Sequence, residues 1–255
     1  MLHLPSLQGG EPGSSRVSAL GEYCYFARME LERERVVLLH GLSRTRWSMA
    51  RLAAALREAG YMVENWGYPS RSRGIADLVR QCRARCAALP GDARTHFVGH
   101  SLGGLIVRAA LSNSFGGEPP ASLRLGRIVL IGTPNRGALA VSRLQRKPLL
   151  RWLPGLLGRP AHELARDAVG LADLGCPATE IGIVFGTRRF HPLNPSAWIN
   201  WLHHAQEPSD GTVECDSAAL AGASDSVAVD AGHSFLPGDP RVIAAVLRFL
   251  KEGRF

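Results

Sequence analysis

The stretch THFVGHSLGGLIVRAAL, residues 95–111, contains a strand, a helix and the switch between them. Residues 95–98 (THFV) read as a strand that follows a turn at Pro90-Gly91. From Leu102 onward, Leu102, Leu105, Ile106 and Ala109 recur at helical spacing, so an amphipathic helix begins directly after Ser101. Gly99-His100-Ser101-Leu102-Gly103 is a G-x-S-x-G pentapeptide set on that strand-to-helix turn. Glycine is needed on either side of the serine, because a sharp turn brings backbone segments together and leaves no room for Cβ atoms. Ser101 is thereby pushed clear of the strand. It sits at a helix N-terminus, where unpaired N–H groups and the helix dipole favour a developing anion.

The same alternation continues in both directions. Residues 36–40 (VVLLH) are a continuous apolar run, after which Met49, Leu52, Ala53 and Leu56 mark a helix closed by Gly60. Residues 61–66 read as the next strand, followed by a helix with Ile75, Leu78, Val79, Cys82, Cys86 and Leu89 on its buried stripe. Residues 127–132 (RIVLIG) and 180–186 (EIGIVFG) lack polar alternation, as expected of strands buried on both faces, and residues 226–230 form a shorter one. Val242, Ala245, Val246, Phe249 and Leu250 line one face of a final helix, with Pro240 near its start. This order predicts an α/β fold: a mostly parallel central sheet with helices on both faces, in one domain spanning 1–255. Residues 138–179 exceed what a crossover between two strands requires. They include PLLRWLPGLL (148–157), apolar enough to cover a site or touch lipid and equally suited to a satellite cluster on the sheet edge. Its two prolines limit it to short helical pieces.

Composition narrows the function classes. With 45% hydrophobic and 20% charged residues, the 255-residue chain can bury a sizeable core. The net charge of +8 comes from 30 basic residues, 28 of them Arg, scattered from Arg16 to Arg254 with no block of five like charges. That pattern argues against a nucleic-acid-binding tail. No apolar run approaches the roughly 18 residues of a membrane span, and the first fifteen residues lack a basic and a continuous apolar region, so a cytoplasmic protein is the default expectation. Five cysteines (24, 82, 86, 176 and 215) without a C-x-x-C pair argue against a disulfide framework and a zinc ribbon. His203-His204 has no partner at metal-ligand spacing, and neither a metal nor an organic cofactor is expected.

A serine hydroxyl is a poor nucleophile at neutral pH and needs a base, and the base needs an orienting group. His233, in Ala231-Gly232-His233-Ser234, falls between the last strand and the last helix, in a loop at the strand's carboxyl end. Asp210, in Pro208-Ser209-Asp210-Gly211-Thr212, is favoured as the acid because Asp-Gly permits a tight turn that presents the carboxylate; Asp216, Asp225, Asp230 and Glu214 compete in the same region. Donors for an oxyanion come from His40-Gly41-Leu42, where Gly41 lets the backbone turn so that an N–H points into the site. The backbone N–H groups of Leu42 and Leu102 are the expected oxyanion hole, each worth about 2 to 4 kcal/mol of transition-state stabilisation. His40 and His100 lie inside these motifs, where their rings pack or orient a loop. Thr133-Pro134-Asn135-Arg136-Gly137 reads as a rigid turn. Trp152 and Trp198 are the candidate substrate-binding residues; Trp198 and Trp201, with Ile199 and Leu202, suit an acyl pocket and core packing equally.

LLHGL, GHSLGG, IGTPNRG, DGTV and GHS, in this order, resemble bacterial α/β-hydrolase lipases and esterases, from about Val36 to the end of the chain. The order Ser, Asp, His is also that of this superfamily. The resemblance implies an α/β-hydrolase fold with residues 138–179 as a short lid-like insertion. It further implies Ser101 as nucleophile, His233 as general base, Asp210 as triad acid, and an ester-type substrate; the expected partner is a small-molecule or lipid ester, with transient membrane or lipid-interface contact where the apolar insertion touches lipid. Acyltransferases and thioesterases use the same triad. A reading from a different class is a catalytically silent protein whose basic surface binds membrane or polyanion. A dehalogenase is disfavoured by a serine where that relative needs a carboxylate, and the lack of a large cap domain weakens a peptidase reading.

Overall fold

In the run RVVLL, Val36 and Leu38 point to one face of a strand and Val37 and Leu39 to the other, and all four are at most 2% exposed. Such a strand has to lie between two helical layers. The computed structural model of the protein describes residues 34–115, 117–136, 159–160, 163, 170, 174–188 and 209–255, all within one compact unit, Glu34–Phe255. Six strands, β1 (Arg35–Leu39), β2 (Met62–Trp66), β3 (Thr95–His100), β4 (Leu125–Ile131), β5 (Ile181–Gly186) and β6 (Asp225–Val229), form one sheet. Their order is β2-β1-β3-β4-β5-β6, and each neighbouring pair is parallel. The chain runs outward from β1 to β2, then returns to β3 on the other side of β1. Winding reverses between β1 and β3, and the crevice at their carboxyl ends is where such sheets bind ligands.

The helices are α1 (Ala50–Glu58), α2 (Ile75–Ala87), α3 (Leu102–Leu111), the single turn α4 (Cys215–Ala218) and α5 (Pro240–Glu252), with 3-10 turns at Arg46–Met49 and His233–Gly238. Alternation along the strands sorts the core in two. Val37, Leu39, Phe97, Ile128 and Leu130 pack with Leu78, Cys82, Cys86, Leu105 and Ile106 of α2 and α3. On the opposite face, Val36, Leu38, Val98, Val129 and Val184 meet Leu52, Leu56, Val246 and Phe249 of α1 and α5. Each fully buried aliphatic or aromatic side chain contributes about 1.5–3 kcal/mol, so both layers are needed. α5 begins where Asp239 accepts the Arg241 N–H at 2.9 Å with Pro240 in the first turn, and ends at Gly253 with φ of 77°.

The sequence reading of α3 as amphipathic is corrected here: all ten of its residues are buried, Arg108 included. The Arg108 guanidinium donates to the carbonyls of Gly175 (2.6 Å) and Asn135 (2.9 Å), which is how a cation is kept in that layer. Asn135 in turn donates to Ala218 O at 2.7 Å, so the turn after β4 is braced as expected. β3 runs two residues beyond Val98, with Gly99 and His100 paired to Leu130 and Ile131 of β4, and only Ser101 separates strand from helix. Within the 138–179 insertion, the Arg159 N–H donates to Arg71 O at 2.9 Å and the Glu163 carboxylate accepts the Ile75 N–H at the start of α2 at 2.6 Å. The 148–157 run and both Trp152 and Trp198 lie outside the described residues. Among the described residues, no helix is long and apolar enough to cross a membrane.

Candidate active site

Ser101 occupies φ 53°, ψ −119°, a region that L residues rarely adopt and that costs about 1–3 kcal/mol. The surroundings enforce it. The Ser101 N–H donates to Ile131 O of β4 at 2.9 Å, while its carbonyl accepts Gly104 N–H of α3 at 3.0 Å. The residue thus ends a strand and begins a helix at once. Room for that comes from the flanking glycines, as the sequence predicts. A methyl group on Gly99 would sit 2.4 Å from Gly104 Cα, and one on Gly103 would sit 2.4 Å from Leu39 O.

His233 Nε2 lies 3.1 Å from Ser101 Oγ, and its Nδ1 lies 2.7 Å from Asp210 Oδ2. The other carboxylate oxygen, Oδ1, accepts the N–H groups of Thr212 (2.9 Å) and Val213 (2.7 Å) across a turn in which Gly211 has φ 90°. Asp210 is 1% exposed, so its charge acts on the imidazole with little screening by water. The Asp-Gly turn expected from sequence is the device that aims it. Of the rivals, Asp230 pairs with Arg188 (2.7 Å) and Asp225 accepts the N–H groups of Ser226 and Phe255 (both 2.7 Å). His233 itself opens the 3-10 turn His233–Gly238 and is not in a loop; its N–H donates to Asp210 O at 2.9 Å, tying base and acid by backbone as well.

Of the expected oxyanion donors, Leu102 follows Ser101 directly, and Leu42 follows Gly41, which packs against Ser101. Among the described residues, neither the Leu42 nor the Leu102 N–H donates to a backbone or side-chain acceptor. The chain turns directly after Gly41, whose carbonyl accepts the Arg44 N–H at 3.2 Å, and the positive φ of that turn falls on Ser43, at 55°. Gly41 is required for space, since a methyl group there would come within 3.0 Å of His100 Nδ1 and 3.3 Å of Ser101 Cβ.

Neither His40 nor His100 is hydrogen-bonded to Ser101 Oγ, which His233 Nε2 contacts. His40 stacks on Tyr68 with ring centroids 4.2 Å apart, its Nδ1 contacts Gly41 O at 2.9 Å, and burial lowers its pKa. Tyr68 completes this clamp by donating its hydroxyl to His40 O. His100 is buried, with its Nε2 3.1 Å from His233 O, and desolvation, aided by the neighbouring His233, holds its pKa well below the usual imidazole range. Sequence reasoning missed Tyr68, whose setting in GYPSRSRG gave no sign of a role. It also missed Gly132, at φ 52°, where a methyl group would lie 3.2 Å from both Asp210 Oδ2 and His233 Nδ1. A glycine closing an apolar strand was the available signal.

Residues 36–248 match the model of the alpha/beta hydrolase family, and the chain belongs to that family. Fold and hydrogen-bonded Ser-His-Asp arrangement together define a serine hydrolase. Solved structures that share the fold include a lipase, a carboxyl esterase and the protein EstA. The mature lipase BlEst2 of Bacillus licheniformis is 18% identical, with 85% of this chain and 89% of that one covered and a TM-score of 0.63. A metagenomic carboxyl esterase, MGS0156, is 21% identical over 86% and 76% of the two chains with a TM-score of 0.66. EstA from Clostridium botulinum is 13% identical over 86% and 87% with a TM-score of 0.56. No curated protein matches the chain.

Proposed function

We propose that the protein is a carboxylic ester hydrolase of the lipase and esterase type, working through an acyl-enzyme at Ser101. The observation that carries this reading is the continuous path from Ser101 Oγ through His233 to Asp210, 3.1 and 2.7 Å long. As Oγ attacks the ester carbonyl, His233 Nε2 takes its proton, and the buried Asp210 carboxylate stabilises the imidazolium and holds its tautomer. Charge developing on the carbonyl oxygen is received by the Leu42 and Leu102 N–H groups and the positive end of α3. Collapse expels the alcohol with the proton from His233, and water then releases the acid by the same steps in reverse. A lipid or small-molecule ester suits this chemistry, and the lipase and the carboxyl esterase that share the fold support it. Ser101→Ala should abolish hydrolysis of p-nitrophenyl butyrate while leaving a cooperative thermal transition. Unchanged turnover would overturn the proposal. Profiling acyl chains of about two to sixteen carbons, with added alcohol as acceptor, reads substrate length and separates hydrolysis from acyl transfer.

A further inference from the structure

The backbone of His233 is held on both sides of its Cα. Asp210 O accepts its N–H at 2.9 Å, and His100 Nε2 contacts its carbonyl at 3.1 Å. The second contact spans 133 residues and joins the last position of β3 to the first residue of the 3-10 turn. Because the acceptor is a carbonyl, His100 has to carry its proton on Nε2, which leaves Nδ1 as a buried lone pair with no partner among the described residues. That lone pair faces Gly41, whose backbone lies against the ring. The His100 side chain is therefore wedged between the oxyanion loop and the turn that bears His233, with the two imidazole centroids 4.9 Å apart.

We infer that His100 is a positioning residue for the reaction: its Nε2–H fixes the His233 backbone and so the reach of His233 Nε2 to Ser101 Oγ. An ordinary packing residue would not need a donor here. A donor that stayed charged would be worse than none, because the proton moves onto an imidazole 4.9 Å away during acylation. Complete burial keeps His100 neutral through that step. The donor matters because it ties the His233 carbonyl, otherwise held only within its own 3-10 turn, to the end of β3, and a shift of about 1 Å in a base can cost on the order of 100-fold in rate.

The test compares His100→Gln, which retains an N–H donor, with His100→Met, which is similar in shape and has none. Both are assayed on p-nitrophenyl butyrate, with thermal unfolding measured on each. The expected result is that His100→Met lowers kcat about 10- to 100-fold with KM within about twofold, and that His100→Gln recovers most of the loss. In a His233→Ala background, His100→Met should cost nothing further, because the group it acts through is gone. Should His100→Met fail to fold, His100→Phe supplies the donor-free variant. Equal kcat in the Gln and donor-free variants, or the same loss with and without His233, would overturn the inference. It rests on the hydrolase reading above. Wild-type turnover that Ser101→Ala abolishes checks that reading first, so failure confined to the His100 variants removes this inference alone.

Discussion

Asp210→Asn removes one charge and almost no volume, and the geometry around the carboxylate shows why the effect should be large. Oδ1 accepts two backbone N–H groups, from Thr212 and Val213, so an asparagine has to place its carbonyl oxygen there. Its NH2 group then faces His233 Nδ1 at the position now 2.7 Å away. Two donors cannot share that distance, so the imidazole gives up its Nδ1 proton and carries one on Nε2. In that tautomer it cannot accept a proton from Ser101 Oγ. The opposite amide orientation is worse, because it sets NH2 against two backbone donors. The expected loss is about 10³–10⁴-fold in kcat, or about 4 to 5.5 kcal/mol of barrier, with KM little changed. Steady-state kinetics on p-nitrophenyl butyrate at pH 7 read it directly. Asp216→Asn and Asp225→Asn should stay within about threefold of wild type. A decline of less than tenfold in Asp210→Asn, or a larger loss in either control, would refute the assignment of the acid.

Ser101→Gly should be inactive yet more stable by about 1 kcal/mol in denaturant unfolding, because glycine adopts φ 53° without strain. Gly103→Ala should lose about 3 kcal/mol or more, since its methyl group would meet Leu39 O at 2.4 Å and His40 O at 2.6 Å, and neither backbone atom can retreat cheaply. Stability should also fall on mild acidification. Burial lowers the pKa of both His96 and His100, so below about pH 6.5 the unfolded chain binds protons that the folded one refuses. Each such histidine steepens the loss by up to about 1.4 kcal/mol per pH unit until its folded pKa is passed, and the His100→Gln melting curve between pH 6.5 and 5.5 should be the shallower.

Much of this was legible from residue types alone, for physical reasons. Strands without polar alternation have to be sandwiched, which gave the two helical layers, and a serine between glycines at a strand-to-helix switch can only sit on an elbow. The acid was legible because Asp-Gly supplies the tight turn that lets one oxygen bind backbone while the other meets the imidazole. What sequence periodicity could not give was contact between distant segments. The Tyr68 clamp on His40 and the His100 contact with His233 O depend on which strand ends the sheet order brings together. The burial of α3 on every side was hidden because Arg108 looks like a solvent-facing residue until its carbonyl partners are known. The need for glycine at position 41 is one of close packing, since His100 and Ser101 leave no room there for a side chain.

Labelling with a fluorophosphonate, followed by tryptic mapping, asks whether the Ser101 hydroxyl is activated by its neighbours. The expected result is one stoichiometric adduct on the peptide THFVGHSLGGLIVR, residues 95–108, absent in Ser101→Ala and formed far more slowly in His233→Ala. An unlabelled wild-type protein, or an adduct on any other serine, would contradict it.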